Sequence, residues 1–426
     1  MITQKSIVKV IFLLFFMMFG AFYTNIYSQK DYHCVEFQNT SAKNAYMVGI
    51  LVGDNGMIYR TVNRGTTWDR VPFELPVGLN KSAILGNNMM VAVGDAGMIT
   101  MSKDAGSSWT ILKTDIINDL YGVSISENGR GFIVGSGGVI FMTNDRGLTW
   151  SKVSNPVKLT QPNLNSVSLF MPDKISENGN GIIVGDRSKV MYTVNGGKTW
   201  IEGALPPKGQ FNFKYVTMVD KSTAYACTDE GKILQSVNGG KSWTVIFAPQ
   251  KPYALYRINV INGRIIAVGS SGHVVISNFE DWREYITGID NDLYCLHFIN
   301  DNTGFAGGEN GTFLRTDDGG VTWTPVKMVE PVEKYPGLDV IFNYPNPFNP
   351  LTTIFYEIPF DAKVSIKIYD AMGREVLGLV SSVKEAGIHM VQFDGTPYAS
   401  GIYFCKIVAV NNTSSLKKTL KLVLTK

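Results

Sequence analysis

All seven tryptophans of this 426-residue chain fall in one series: Trp68, Trp109, Trp150, Trp200, Trp243, Trp282 and Trp323. Their successive separations are 41, 41, 50, 43, 39 and 41 residues. A return interval of this size is the mark of a repeated supersecondary unit, and it constrains the fold before any local motif does. Each Trp closes the same pattern: an apolar stretch ends in Gly, a short turn follows, and a second apolar stretch runs to Ser or Thr. The first copy reads Val52-Gly53-Asp54-Asn55-Gly56, the second Val93-Gly94-Asp95-Ala96-Gly97, and the seventh Gly307-Gly308-Glu309-Asn310-Gly311. From the last turn residue to Trp is 12 positions in six copies and 10 in the sixth. Length variation is thus confined to the segments after each Trp, as expected of one rigid hairpin with variable outer connections.

A further alternating run lies upstream of each hairpin, for example at 120–125, 164–170, 213–218, 255–261 and 293–299. The unit then has four strands, A to D, with Trp opening D. The chain has 43 Gly and no long stretch of apolar residues at helical spacing, so an all-β class follows. A four-stranded sheet that is apolar on both faces is not buried alone, and radial packing against its copies solves this. The expected fold is a seven-bladed β-propeller over 32–327.

The turn between C and D carries Ser/Thr-x-Asp/Asn-x-Gly-x-Ser/Thr-Trp. It stands at Ser102, Asp104, Gly106, Ser108 and Trp109, and again at Thr143, Asp145, Gly147, Thr149 and Trp150. Asn63, Asn195 and Asn238 replace Asp in three copies, and the sixth, ending at Trp282, lacks the Gly and two turn residues. This pattern resembles the Asp-box of sialidase-type repeats. Its roles are structural: the Asp or Asn side chain accepts turn amides, Gly takes a positive φ, and Trp buries a large ring. Together with the Val-Gly turn, the repeat resembles the propeller family named for a photosystem II stability and assembly factor.

Beyond Trp323 the repeat stops, and 328–340, with two prolines, reads as a linker. A new unit at 341–426 opens with Tyr344-Pro345-Asn346-Pro347-Phe348-Asn349-Pro350 and continues in alternating strands, with a hairpin turn at Asp370-Ala371-Met372-Gly373. Those segments, with Gly387-Ile388-His389, Ser400-Gly401-Ile402-Tyr403 and the basic end at Lys426, resemble the type A sorting domain of the type IX secretion system. The resemblance implies a small immunoglobulin-like β-sandwich that hands the chain to that machinery. At the other end, Lys5 and Lys9 precede an apolar run at 10–22, and Ser28 is a small residue suited to cleavage, so 1–28 reads as a signal peptide. That run is shorter than the roughly 20 residues that span a bilayer, and no later segment is long enough, so no stable membrane span is expected. Export to the periplasm and then to the medium or the outer-membrane surface follows.

The net charge of +3 comes without long like-charge runs and gives no reason for a nucleic-acid partner. Cys34, Cys227, Cys295 and Cys405 are scattered, Cys295 and His297 lack a third ligand, and His33 has no evident role, so no metal or cofactor is expected. Sialidase chemistry requires an arginine cluster, of which the early motif is missing, and paired-carboxylate cleavage requires two acids roughly 5–10 Å apart, which nothing marks out. The expectation is a non-enzymatic module binding an unidentified extracellular protein or glycan, with a glycoside hydrolase or an assembly factor-like chaperone as alternatives. In an antiparallel blade the B–C turns share one face with the D–A connections. The B–C turns carry Asp54, Asp95, Asp186, Asp229, Glu230 and Glu309, so this face is expected to present an acidic rim suited to a cation or a basic partner. Turn propensity alone also accounts for Asp and Asn at such places.

Overall fold

The computed structural model describes residues 30–38, 47–73, 75, 77–86, 88–153, 162–170, 179–207, 210–278, 281–329, 341–344, 346–358, 360–385, 387–411 and 414–426. The 1–28 segment read as a signal peptide and most of the linker lie outside the described residues. Among those described, no helix is long and apolar enough to cross a membrane.

Each Trp-containing repeat folds as one four-stranded antiparallel sheet in the order A-B-C-D, and seven such sheets follow one another along the chain. In the first, A is Tyr32–Phe37, B is Gly49–Gly53, C is Ile58–Thr61 and D is Asp69–Arg70. Strand B is buried along its whole length in the first three blades and the seventh, because a middle strand has a neighbouring blade on each face. That explains why these strands read as continuous apolar runs rather than alternating ones.

The core is divided into clusters that each span two adjacent blades. Trp109 packs with Ile50, Val52 and Met90 between blades 1 and 2, and Trp200 with Phe132 and Val134 between blades 3 and 4. Trp243, Trp323 and Trp68 occupy the junctions 4–5, 6–7 and 7–1 in the same way. Each ring therefore reaches the blade before its own. Trp150 and Trp282 fill the corresponding places but are only half-buried. In blade 6 the shortened turn joins His273–Asn278 to Asp281–Ile286, a fully paired hairpin in which Trp282 lies opposite Ser277.

Among the described residues no strand is exchanged to close the ring. Instead Val329, inside the stretch read as linker, lies alongside strand D of blade 1: its amide donates to Trp68 O at 3.0 Å and its carbonyl accepts from Arg70 N at 3.3 Å.

The tail forms two sheets around one core. One has the strands Ile341–Tyr344, Leu351–Ile358 and Gly387–Asp394, and the other has Glu375–Lys384, Ala362–Asp370, Gly401–Val410 and Ser415–Leu424. The Pro-rich opening pins the last strand. Asn346 Oδ1 accepts from Val423 N at 2.8 Å, Phe348 N donates to Val423 O at 2.9 Å, and the Phe348 ring is buried among Leu422, Leu424 and Phe393.

Candidate functional site

The residue just before strand A organises the face on which the B–C turns emerge. In all seven blades its carbonyl accepts the first amide of that blade's own B–C turn, at 2.8–3.1 Å, as with Asp54 N to Asp31 O and Asp95 N to Gly78 O. This closure brings the carbonyl so near the end of strand B that a Cβ there would stand 1.8–2.1 Å away at Gly53, Gly94, Gly135, Gly185, Gly269 and Gly308. The backbone at these glycines is extended, for example φ −161° at Gly94. In these six blades close approach, not a positive φ, disfavours a side chain; blade 5 accommodates Thr228 at the same place, with the longest of the seven hydrogen bonds, Asp229 N to Asn212 O at 3.1 Å.

The same residue also ties neighbouring blades. Its side chain accepts the middle amide of the preceding blade's B–C turn: Ala96 N to Asp119 Oδ1 at 2.9 Å, Gly137 N to Asn163 Oδ1 at 3.2 Å, and Arg187 N to Asn212 Oδ1 at 3.0 Å. Ser271 N to Asp292 Oδ1 and Asn310 N to Asp31 Oδ1, both 2.9 Å, repeat it, the last across the ring closure. Gly78 and Ala254 leave the remaining two junctions without this acceptor.

Each carboxylate expected on the rim is held within its own blade. Asp54 accepts Asp31 N at 3.0 Å and meets His33 Nε2 at 2.8 Å, and the His33 hydrogen bond holds its carboxyl below the ordinary range. Asp95, Asp186 and Asp229 accept Asn80, Asn165 and Asn212 side-chain amides at 2.7, 2.8 and 2.9 Å. Glu309 accepts Asp292 N at 3.3 Å, and Glu230 is ion-paired with Lys232. Four of the six thus have neutral partners and, among the described residues, no ion pair.

Three further acids and a strip of aromatic rings, which the sequence reading did not single out, complete the arrangement. Asp31, Asp119 and Asp292 are the pre-A residues. Tyr121, Tyr256 and Tyr294 are second in their A strands, where His33, Asn80, Asn165 and Lys214 stand in the other blades. The Tyr294 ring stacks on His33, with centroids 5.8 Å apart, and meets Tyr256 edge-on at 5.2 Å. Burial first, then the charges of Asp31, Asp292, Glu309 and Asp54, push the Tyr294 hydroxyl up to about 12. Burial likewise raises Tyr121, assisted by Asp119, Asp95 and Asp186. Hydrogen bonds join Asp31, Asp54, Asp292 and Glu309 over blades 7 and 1, through Asn310 N to Asp31, Asp31 N to Asp54 and Asp292 N to Glu309. Over blades 2 and 3, Asp119 meets the blade 2 turn that carries Asp95. At blades 4 and 5, a cavity of about 850 Å³ is lined by Asp186, Arg187, Ser188, Gln210, Asn212 and Lys214, and is mixed in charge. The signal that could have found the missed residues was positional: Asp, Asn, Gly or Ala recurs immediately before every A strand.

Deeper in the propeller, A strands of five blades meet around a half-buried acid. Glu36 of blade 1 lies 2.5 Å from Arg257 Nη2 and 3.2 Å from His297 Nδ1. The Arg257 guanidinium sits 4.0 Å, and Lys81 Nζ 4.7 Å, from the centre of the Tyr215 ring. Burial opposes ionisation of Glu36, but Arg257 and His297 outweigh it and keep the carboxyl below its usual range. His297 thus serves a cross-blade ion pair. Cys34, Cys227, Cys295 and Cys405 are buried free thiols, and burial raises all four, Cys34 to about 11.

Residues 107–279 match the family described as photosynthesis system II assembly factor YCF48, and residues 343–422 match the secretion system C-terminal sorting domain. The chain carries a YCF48/BNR-like propeller and a C-terminal type IX secretion sorting domain. Among solved structures, YCF48 bound to D1 peptide is 17% identical with a TM-score of 0.54, covering 68% of this chain and 94% of that one. YCF48 from Cyanidioschyzon merolae is 16% identical with a TM-score of 0.53, covering 68% and 97%. The WD40 β-propeller domain of Doa1 is 14% identical with a TM-score of 0.51, covering 67% and 92%. At these identities the likeness is one of fold. A search of curated protein sequences found no match. The sorting domain marks the YCF48-like chain as secreted or displayed on the cell surface, and implies contact with the type IX machinery.

Proposed function

We propose that the YCF48-like propeller is a non-enzymatic binding module working outside the cell, and that its ligand is a polypeptide segment bearing lysine or arginine, received at the B–C face. The observation that carries this reading is the hydrogen-bonded grouping of Asp31, Asp54, Asp292 and Glu309 over blades 7 and 1, beside the stacked Tyr294 and His33 rings. Carboxylates with neutral partners attract a cationic side chain, and tyrosines offer rigid contact area and a π face for it. A polypeptide is favoured because a solved YCF48 of the same fold has a peptide bound.

Calorimetry with cationic peptides tests it. Replacing Asp31, Asp54 and Asp292 by Asn and Glu309 by Gln retains an amide oxygen at each place and removes four charges. Binding should weaken at least tenfold while the thermal melt moves little, and parent binding should fall with salt over the Debye range. Tyr294→Ala should weaken it as well. A parent that binds no cationic peptide, or a fourfold variant that binds as well as the parent, overturns the assignment.

A further inference from the structure

The sheet of the sorting domain formed by Glu375–Lys384, Ala362–Asp370, Gly401–Val410 and Ser415–Leu424 has one face in the domain core and one face outward. Directly paired residues of antiparallel strands share a face, so the register gives the composition of the outward one. Its rows are Val383–Lys363–Val410–Ser415, Ser381–Ser365–Val408–Lys417, Gly378–Lys367–Lys406–Thr419 and Glu375–Tyr369–Phe404–Lys421. Five lysines stand there against one carboxylate, Glu375, which is already bonded to Lys367 Nζ at 2.8 Å. Beyond Asp394 the chain has no acidic residue at all. Among these cations are large apolar side chains that a solvent-facing sheet does not need: Val383 is 74% exposed, Ile402 and Val410 42%, and Phe404 37%.

From this face we infer a docking surface for an anionic lipid headgroup layer. The choice of cation is informative. Every charge donor here is a lysine, and the one arginine of the domain, Arg374, is paired with Asp370 off this face. Arginine suits stereospecific, bidentate recognition of a carboxylate, whereas lysine is a mobile point charge on an apolar stem that matches anions without fixed positions. Lysine is also depleted at protein–protein interface cores. Lysines mixed with Phe, Ile and Val on one flat face are the composition of a surface that lies in a headgroup layer, charges at phosphate level and apolar side chains beneath. The inference does not depend on what the propeller mouth binds.

Sedimentation of the full chain with vesicles provides the test, using phosphatidylcholine alone and phosphatidylcholine mixed with phosphatidylglycerol. The neutral vesicles report any binding by the apolar N-terminal run. The chain should partition onto the anionic vesicles at low salt and leave them at high salt. The triple variant Lys406→Gln, Lys417→Gln, Lys421→Gln should lose this binding by on the order of a hundredfold. An equally charged control, Lys384→Gln, Lys418→Gln, Lys426→Gln, alters lysines outside these rows and should bind as the parent does. Inorganic phosphate should not displace the chain. No preference for anionic vesicles, equal loss in both triple variants, or binding to soluble polyglutamate in place of vesicles would each overturn the inference, the last in favour of an acidic protein partner.

Discussion

In six of the seven blades the end of strand B leaves no room for a methyl group beside the carbonyl that precedes strand A. At Gly94 a Cβ would lie 1.9 Å from Gly78 O, and that oxygen is held in place by the amide of Asp95. Relief therefore requires either moving the chain or breaking the hydrogen bond that shapes the rim. Gly94→Ala should cost roughly 1–3 kcal/mol, in line with overpacking elsewhere. Gly86 has nothing within 4 Å of its missing Cβ, and Gly86→Ala should change stability by less than about 0.5 kcal/mol. Thermal melts of the two variants check this; equal melting would mean that the carbonyl yields freely. The glycine was legible in the repeat, but its reason was not, because the atom it avoids belongs to the residue that leads into a different strand.

At the scale of the element, the C–D turn shows how one hairpin accepts two chemistries. Asp104 Oδ1 accepts Ser108 N at 2.9 Å and its Oδ2 accepts the Ser108 hydroxyl at 2.6 Å. Where Asn63 takes this place, Oδ1 still accepts Thr67 N at 3.0 Å, but Nδ2 donates to the Thr67 hydroxyl at 2.9 Å. The hydroxyl rotates and the geometry survives, which explains the interchange of Asp and Asn. Asp104→Asn should thus be nearly neutral, while Asp104→Ala, which removes both acceptors, should cost about 1–2 kcal/mol. The pH dependence separates the variants further. The Ser108 hydrogen bonds hold the Asp104 carboxyl at about 2, below its ordinary 3.8. A depressed value stabilises the fold above the ordinary pKa and is lost as pH falls towards 2, so the parent should lose stability between about pH 4 and 2 relative to Asp104→Asn. Melts across that window measure it.

At the scale of the molecule, the repeats and the tail have separate cores and separate tasks. Seven clusters each join two blades, and a further one belongs to the tail alone. The ring closes through Val329 and the Asp31–Asn310 bond, both before residue 330, and Glu36 and Arg257 fasten it from inside. Deleting residues 341–426 should leave a cooperatively melting propeller that stays in the periplasm of the native host. Undiminished appearance of the truncated chain outside the cell would contradict export by the tail.

Blade number, strand order and the presence of a sorting domain were all determined by the sequence alone, because each rests on short-range patterns: a Trp at constant spacing, a turn at constant offset, a contiguous motif set. The placement of the B–C turns on one face also followed, since antiparallel topology allows no other. Tertiary structure alone decided what that face contains. Asn310 meets Asp31 across 279 residues, Tyr294 of blade 7 stacks on His33 of blade 1, and Glu36 finds Arg257 and His297 on two others. The lysine face of the tail likewise needed register, since a one-residue slip would have sent those side chains to the other side of the sheet. Periodicity specifies a blade, whereas the side chains that converge between blades come from positions that vary from copy to copy, and no period can carry them.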